Sequence, residues 1–162
     1  MATAPHSTPP AFVPQIRRYQ DWLRSTRGLS FDSYDALWRW STTDLDAFWQ
    51  SIWDYFDLQS PTPHSAVLAR NVMPGAQWFP GAQTNYARQV LRHAQPAHAA
   101  GMQAVISRNE QGLHRELSWP DLQRQVAELA LHLRAQGVGR GDRVAAYLPN
   151  IPEAIVAFLA CA

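Results

Sequence analysis

The sequence predicts an α/β protein: a Trp-rich helical first part, then alternating short strands and helices. Three observations predict it. Apolar residues recur at helical spacing through residues 15–56, where most of the seven Trp lie. A turn-rich stretch with Pro74-Gly75 and Pro80-Gly81 follows. From Gln103 onward the pattern switches to a hairpin and then, over Ser118–Ala162, to helix, tight turn, strand, turn and helix.

Residues 1–14 hold four Pro among small polar residues and read as a disordered tail, or less readily as a Pro-rich ligand for a partner domain. Gln15–Arg27 reads as a helix with Ile16, Tyr19, Trp22 and Leu23 on one face and Gly28 as the residue that ends it. Its Arg17, Arg18, Arg24 and Arg27 form either a phosphate-binding patch or a solvated face, and the near-zero net charge favours the face. Phe31–Trp40 reads as a short helix. Thr43 is the expected N-cap of the next one, with Asp44 and Asp46 in its first turn. Leu45, Phe48, Trp49, Ile52, Trp53 and Phe56 make a wide apolar stripe, read as core rather than as a platform for a flat ligand.

Trp78 and Phe79, set between Pro-Gly bends, are expected to pin a loop onto the core. Thr84–Ala94 reads as a helix that Pro96 stops. Gln103–Ser107 and Leu113–Leu117 read as a hairpin across the turn residues Asn109–Gly112. Ser118 caps a helix with the stripe Leu122, Val126, Leu129, Ala130 and Leu133, ended by Gly137. Arg143–Leu148 reads as a strand buried on both faces, as in a parallel sheet. Asn150 is the expected cap of the last helix, whose residues Ala154–Ala162 are apolar all round. That helix has no stop signal, so the chain reads as the opening of a larger, truncated α/β protein.

Composition narrows the chemistry. The chain has 162 residues, a net charge of +1 and one Cys, Cys161. No nucleic acid and no membrane is expected as a partner. The longest apolar run, Ala154–Ala162, falls short of the ~20 residues that span a bilayer, and residues 1–14 carry no signal-peptide pattern, so a cytoplasmic location is expected. All 14 basic residues are Arg. Without Lys, the chain supplies no Schiff-base, Walker-type or catalytic lysine. Gly137-Val138-Gly139-Arg140-Gly141 follows a helix and precedes a strand, the reverse of a phosphate-binding turn, so it is read as a turn alone. Asp142-Arg143 is expected to form a polar pair at the strand entrance. His93 and His98 flank Pro96 without metal-ligand geometry, and Cys161 sits among apolar residues where a thiol is inert. Asp54 and Asp57 are read as a solvated face. No residue is assigned a catalytic, cofactor-binding or metal-binding role.

Two blocks carry a resemblance. Tyr34-Asp35-Ala36-Leu37-Trp38-Arg39-Trp40-Ser41, Phe48-Trp49 and Ile52-Trp53-Asp54-Tyr55-Phe56, with Trp78-Phe79-Pro80-Gly81 and Asn85-Tyr86-Ala87, resemble the N-terminal region of acetyl-CoA-synthetase-type enzymes. Gly141-Asp142-Arg143-Val144 and Leu148-Pro149-Asn150-Ile151-Pro152-Glu153-Ala154 resemble the start of the AMP-forming (adenylate-forming) ligase domain. Within that superfamily the Trp-Arg-Trp-Ser and Trp-Phe-Pro-Gly-Ala blocks are most similar to the acetoacetate–CoA ligases. Thr84 and Arg88-Gln89 depart from the family pattern, which has an apolar and an acidic residue there.

After the tail over 1–14, the resemblance implies an acyl-CoA-synthetase-type N-terminal region over 15–98 and the first strands and helices of an adenylating domain over 99–162. It implies a ligase that uses ATP, Mg²⁺ and CoA on acetoacetate through an acyl-adenylate. The family's phosphate loop, metal-binding acids and catalytic Lys all lie beyond the matched blocks, so no site residue is carried over. The chain alone is expected to be inactive and to self-associate or aggregate. The readings kept beside it are a non-catalytic interaction module and the N-terminus of another short-chain acyl-CoA ligase, such as acetyl-CoA synthetase.

Overall fold

The computed structural model describes residues 12–162, so of the expected tail only Phe12, Val13 and Pro14 fall within the described part. The described residues form two compact units, one ending at Ala82 and one spanning Gln83–Ala162.

In the first unit, helix α1 (Gln15–Trp22) runs into a π-helical turn, Leu23–Arg27, that ends at Gly28 with φ 67°. The expected helix over Gln15–Arg27 is thus present, with the left-handed glycine stop where it was placed. Helix α2 spans Tyr34–Thr43 rather than starting at Phe31, because Ser33 is extended and its side chain accepts from Ala36 N. Helix α3 spans Leu45–Tyr55, and its cap is Asp44, which accepts from Ala47 N. Thr43 is instead the last residue of α2, with its hydroxyl on the Arg39 carbonyl at 2.8 Å. An N-cap must leave the helical backbone conformation, which Thr43 keeps and Asp44, at φ −112° and ψ 73°, does not.

The buried centre of this unit is Tyr19, Leu23 and Leu37, with Trp22, Trp40, Phe48, Ile52 and Tyr55 packed round it. Leu23 is 0% exposed. The residue of α3 that reaches farthest inward is polar: Ser51, 2% exposed. Its hydroxyl donates to the Phe48 carbonyl at 2.6 Å, so it accepts from the Tyr19 hydroxyl at 2.5 Å. Burial pushes the Tyr19 phenol above its ordinary pKa of 10.0, opposed by the Ser51 hydrogen bond and the Arg27 charge. The expected stripe is wider than one face. Phe48 and Ile52 turn toward α1 and α2, while Trp49 and Trp53 meet Trp78 and Phe79 at 5.5 and 4.7 Å between ring centroids.

Those ring contacts pin Trp78 and Phe79 as expected, while the turn-rich stretch also holds two short strands that were not expected. Strands β1 (Leu68–Arg70) and β2 (Gln77–Trp78) pair antiparallel with an irregular register. Two- and three-residue strands carry too short an alternation to be visible in sequence.

The second unit opens with α4 (Tyr86–Leu91) and α5 (Ala94–Ala99). Pro96 does not stop a helix as expected; it lies in the first turn of α5, where a missing N–H costs no intrahelical bond. Strands β3 (Val105–Arg108) and β4 (His114–Leu117) form the expected hairpin, with Val105 opposite Leu117 and Arg108 opposite His114. Helix α6 spans Trp119–Ala135, capped by Ser118, and Gly137 follows it at φ 88°. Helix α7 spans Pro152–Cys161. Its cap position is Ile151, not Asn150, and Pro152 holds the first helical position. The core joins Leu122 and Val126 of α6 to Val156 and Leu159 of α7 and Ala87 of α4.

Arg143–Leu148 is not the buried strand expected. It carries no strand pairing and is exposed throughout, with Val144, Tyr147 and Leu148 at 49%, 104% and 50%. A strand exists only through a neighbour's N–H and C=O groups, and among the described residues β3 and β4 pair only with each other. Cys161, read as an inert thiol among apolar residues, is exposed at the end of α7.

Candidate functional site

Three places invite a functional reading: the glycine turn after α6, the aromatic groups of the first unit, and an apolar groove on the second. Each includes some of the residues that carry the family resemblance.

At the turn, Gly137 N donates to Arg134 O at 3.0 Å and Val138 N to Leu133 O at 3.0 Å, closing the last turn of α6. Gly139 N donates to the Asp142 carboxylate at 2.8 Å, and Asp142 N returns to Gly139 O at 3.1 Å. Asp142 therefore closes the turn, where a polar pair with Arg143 was expected. A phosphate cradle needs free amides at the positive end of a helix. Here those amides are already engaged, at a carbonyl-bearing helix end and beside a carboxylate. The described residues do not fit ATP at this turn. No group of three or more His, Cys, Asp or Glu among them is placed to hold a metal ion.

In the first unit the aromatic residues form chains of edge-to-face, tilted and stacked contacts. Trp40 stands between Phe31 and Phe48 at 5.1 and 5.6 Å. Tyr55 meets Tyr19 at 5.1 Å and Trp22 at 5.4 Å. His64 packs on Trp53 and Phe79, both at 5.1 Å, and its Nε2 is 2.9 Å from Gln50 Oε1. The Trp78-Phe79-Pro80-Gly81 block is held by its backbone. Phe79 N donates to Val67 O, Ser65 N to Pro80 O, and the Thr62 hydroxyl to Gly81 O. Gly81 has φ 94°, and a Cβ there would meet Pro63 O at 3.0 Å, so only glycine fits. Among the arginines of α1 and its π-turn, Arg24 pairs with Asp21 at 3.1 Å, and Arg27 pairs with Asp54 and lies 5.9 Å over Trp22. These are contacts within the unit, and Arg17, Arg18, Arg24 and Arg27 are all exposed. The expected Asp54–Asp57 face is split: Asp54 takes Arg27, and Asp57 sits past the helix at φ 48°.

On the second unit, Asn85-Tyr86-Ala87 is likewise structural. The Asn85 side chain caps α4 by accepting from Arg88 N at 2.7 Å, and its amide donates to the Ala162 carbonyl at 2.6 Å. Tyr86 meets Phe158 edge-on at 5.4 Å, and Ala87 is in the core. Tyr86, Val90, Ala104, Trp119, Ile155 and Phe158 line most of an open apolar groove of about 400 Å³. The buried Trp119 Nε1 has no hydrogen-bond partner.

One electrostatic clamp fastens this unit. Arg115 on β4 donates twice to Glu153 in the first turn of α7, at 2.5 and 3.2 Å. The bond holds the Glu153 carboxyl below its ordinary 4.5, and at the α6 cap the Ser118 hydroxyl and then Arg124 hold Asp121 below its ordinary 3.8. A carboxylate with a depressed folded pKa stabilises above its unfolded pKa and loses that contribution as pH falls through the folded value. Urea midpoints measured from pH 7 down to 3 should therefore fall most steeply below 4.5. Glu153→Gln should lower the midpoint at pH 7 and flatten the decline.

The comparisons with known proteins follow the same residues. A family model described as the N-terminus of acetyl-coenzyme A synthetase matches residues 34–90, and one described as AMP-binding enzyme matches residues 92–162. The chain belongs to the AMP-forming acyl-CoA synthetase family. Acetoacetyl-coenzyme A synthetase of Rhizobium meliloti is 37% identical over 91% of the chain and 22% of its own length. Malonamoyl-CoA synthetase of Penicillium aethiopicum is 32% identical over 97% of the chain and 22% of its length. A solved structure of acetoacetyl-CoA synthetase from Streptomyces lividans superposes with a TM-score of 0.79 at 46% identity, covering 88% of this chain and 22% of that one. The chain spans about a fifth of the length of these acyl-CoA synthetases. No helix among its described residues is long and apolar enough to cross a membrane.

Proposed function

We propose that the chain provides the opening part of an ATP-dependent acid–thiol ligase that forms acetoacetyl-CoA from acetoacetate, ATP and CoA, with Mg²⁺, in the cytoplasm. In this reading residues 15–98 are the acyl-CoA-synthetase-type N-terminal region and residues 99–162 open the adenylating domain. The observation that carries it is the match, at 46% identity and TM-score 0.79, to a fifth of an acetoacetyl-CoA synthetase. The family's motif residues support a scaffold role. Asp142 closes a turn, Gly81 fits a backbone contact, Asn85 caps a helix and Glu153 clamps α7 to β4.

Acetoacetate is the proposed acid because several acetoacetyl-CoA synthetases are among the relatives. The malonamoyl-CoA synthetase relative favours, as a second reading, a ligase of another short acid. The 162-residue chain alone is expected to release no pyrophosphate in response to acetoacetate with ATP, Mg²⁺ and CoA. Acetoacetate-dependent release above the no-acid blank overturns the scaffold reading. A non-catalytic interaction module, the other class of role, gives no turnover in any context.

A further inference from the structure

We draw no further inference here: the strongest candidate, the apolar groove that Tyr86, Val90, Ala104, Trp119, Ile155 and Phe158 line on the second unit, carries nothing because no feature of the structure shows what covers it.

Discussion

Leu122→Ala is expected to destabilise the second unit by about 2–5 kcal/mol, the range for deleting a buried leucine with partial relaxation. Leu122 is 2% exposed and sits where α6 meets α7, in one cluster with Val126, Val156, Leu159 and Ala87. The groove runs past the same side chain, so the hole left by truncation adjoins open space. A unit of about 80 residues has roughly 4–12 kcal/mol of stability to lose, at ~0.05–0.15 kcal/mol per residue. The substitution therefore removes a large share of it. Hydrogen exchange should show protection lost across α6 and α7 while the α1–α3 amides keep theirs. An unchanged exchange pattern in α6 would show that Leu122 does not hold the two helices together.

Ser51→Ala is expected to cost about 1–3 kcal/mol in the first unit, the penalty for leaving a buried donor unpaired. The asymmetry of the pair makes the test specific. Ser51 donates to the Phe48 carbonyl, so the Tyr19 hydroxyl is the donor between the two side chains. Removing the Ser51 oxygen strands that buried O–H. Tyr19→Phe strands nothing, because Ser51 keeps its carbonyl, and should cost only about 0.5–1.5 kcal/mol. The double variant should be less destabilised than the sum of the singles, by about 0.5–3 kcal/mol of coupling between residues in contact. Strict additivity in urea unfolding would refute the hydrogen bond.

Ser51 also shows where sequence reasoning stops. The apolar stripe of α3 is legible, yet the most buried residue on that helix is the small polar one between Phe48 and Tyr55. Its signal is positional: 48, 51, 52 and 55 share a helical face. Selecting by hydrophobicity passes over a serine whose partner, Tyr19, is distant in sequence. Of the side-chain caps that accept from the amide three residues on, the sequence reading places Ser118 but not Ser33, Asp44 or Asn85. Thr43 is the expected cap with Asp44 in the first turn, but α2 runs on through Thr43 and leaves the non-helical cap position to Asp44. The apolar run 144–148 has the composition of a buried strand, but composition provides no neighbour to pair with.

At the candidate site, element order alone argues against phosphate at the glycine turn, and the engaged amides of Gly137, Val138 and Gly139 give the physical reason. What the sequence did not reveal is why the family motifs take the form they do. Asn85 bonds across 77 positions to Ala162, and Arg115 across 38 to Glu153. Such pairings are invisible to any local window.

The most direct measurement exchanges the scaffold. Residues 12–162 replace the matching region of the Streptomyces lividans acetoacetyl-CoA synthetase, and acetoacetate-dependent pyrophosphate release is followed with ATP, Mg²⁺ and CoA. Under the proposed scaffold role, turnover within about tenfold of the parent (~1.4 kcal/mol of barrier), with the parent's preference for acetoacetate, is the expected result. A folded chimera that gives no turnover, or that changes its preferred acid, contradicts it.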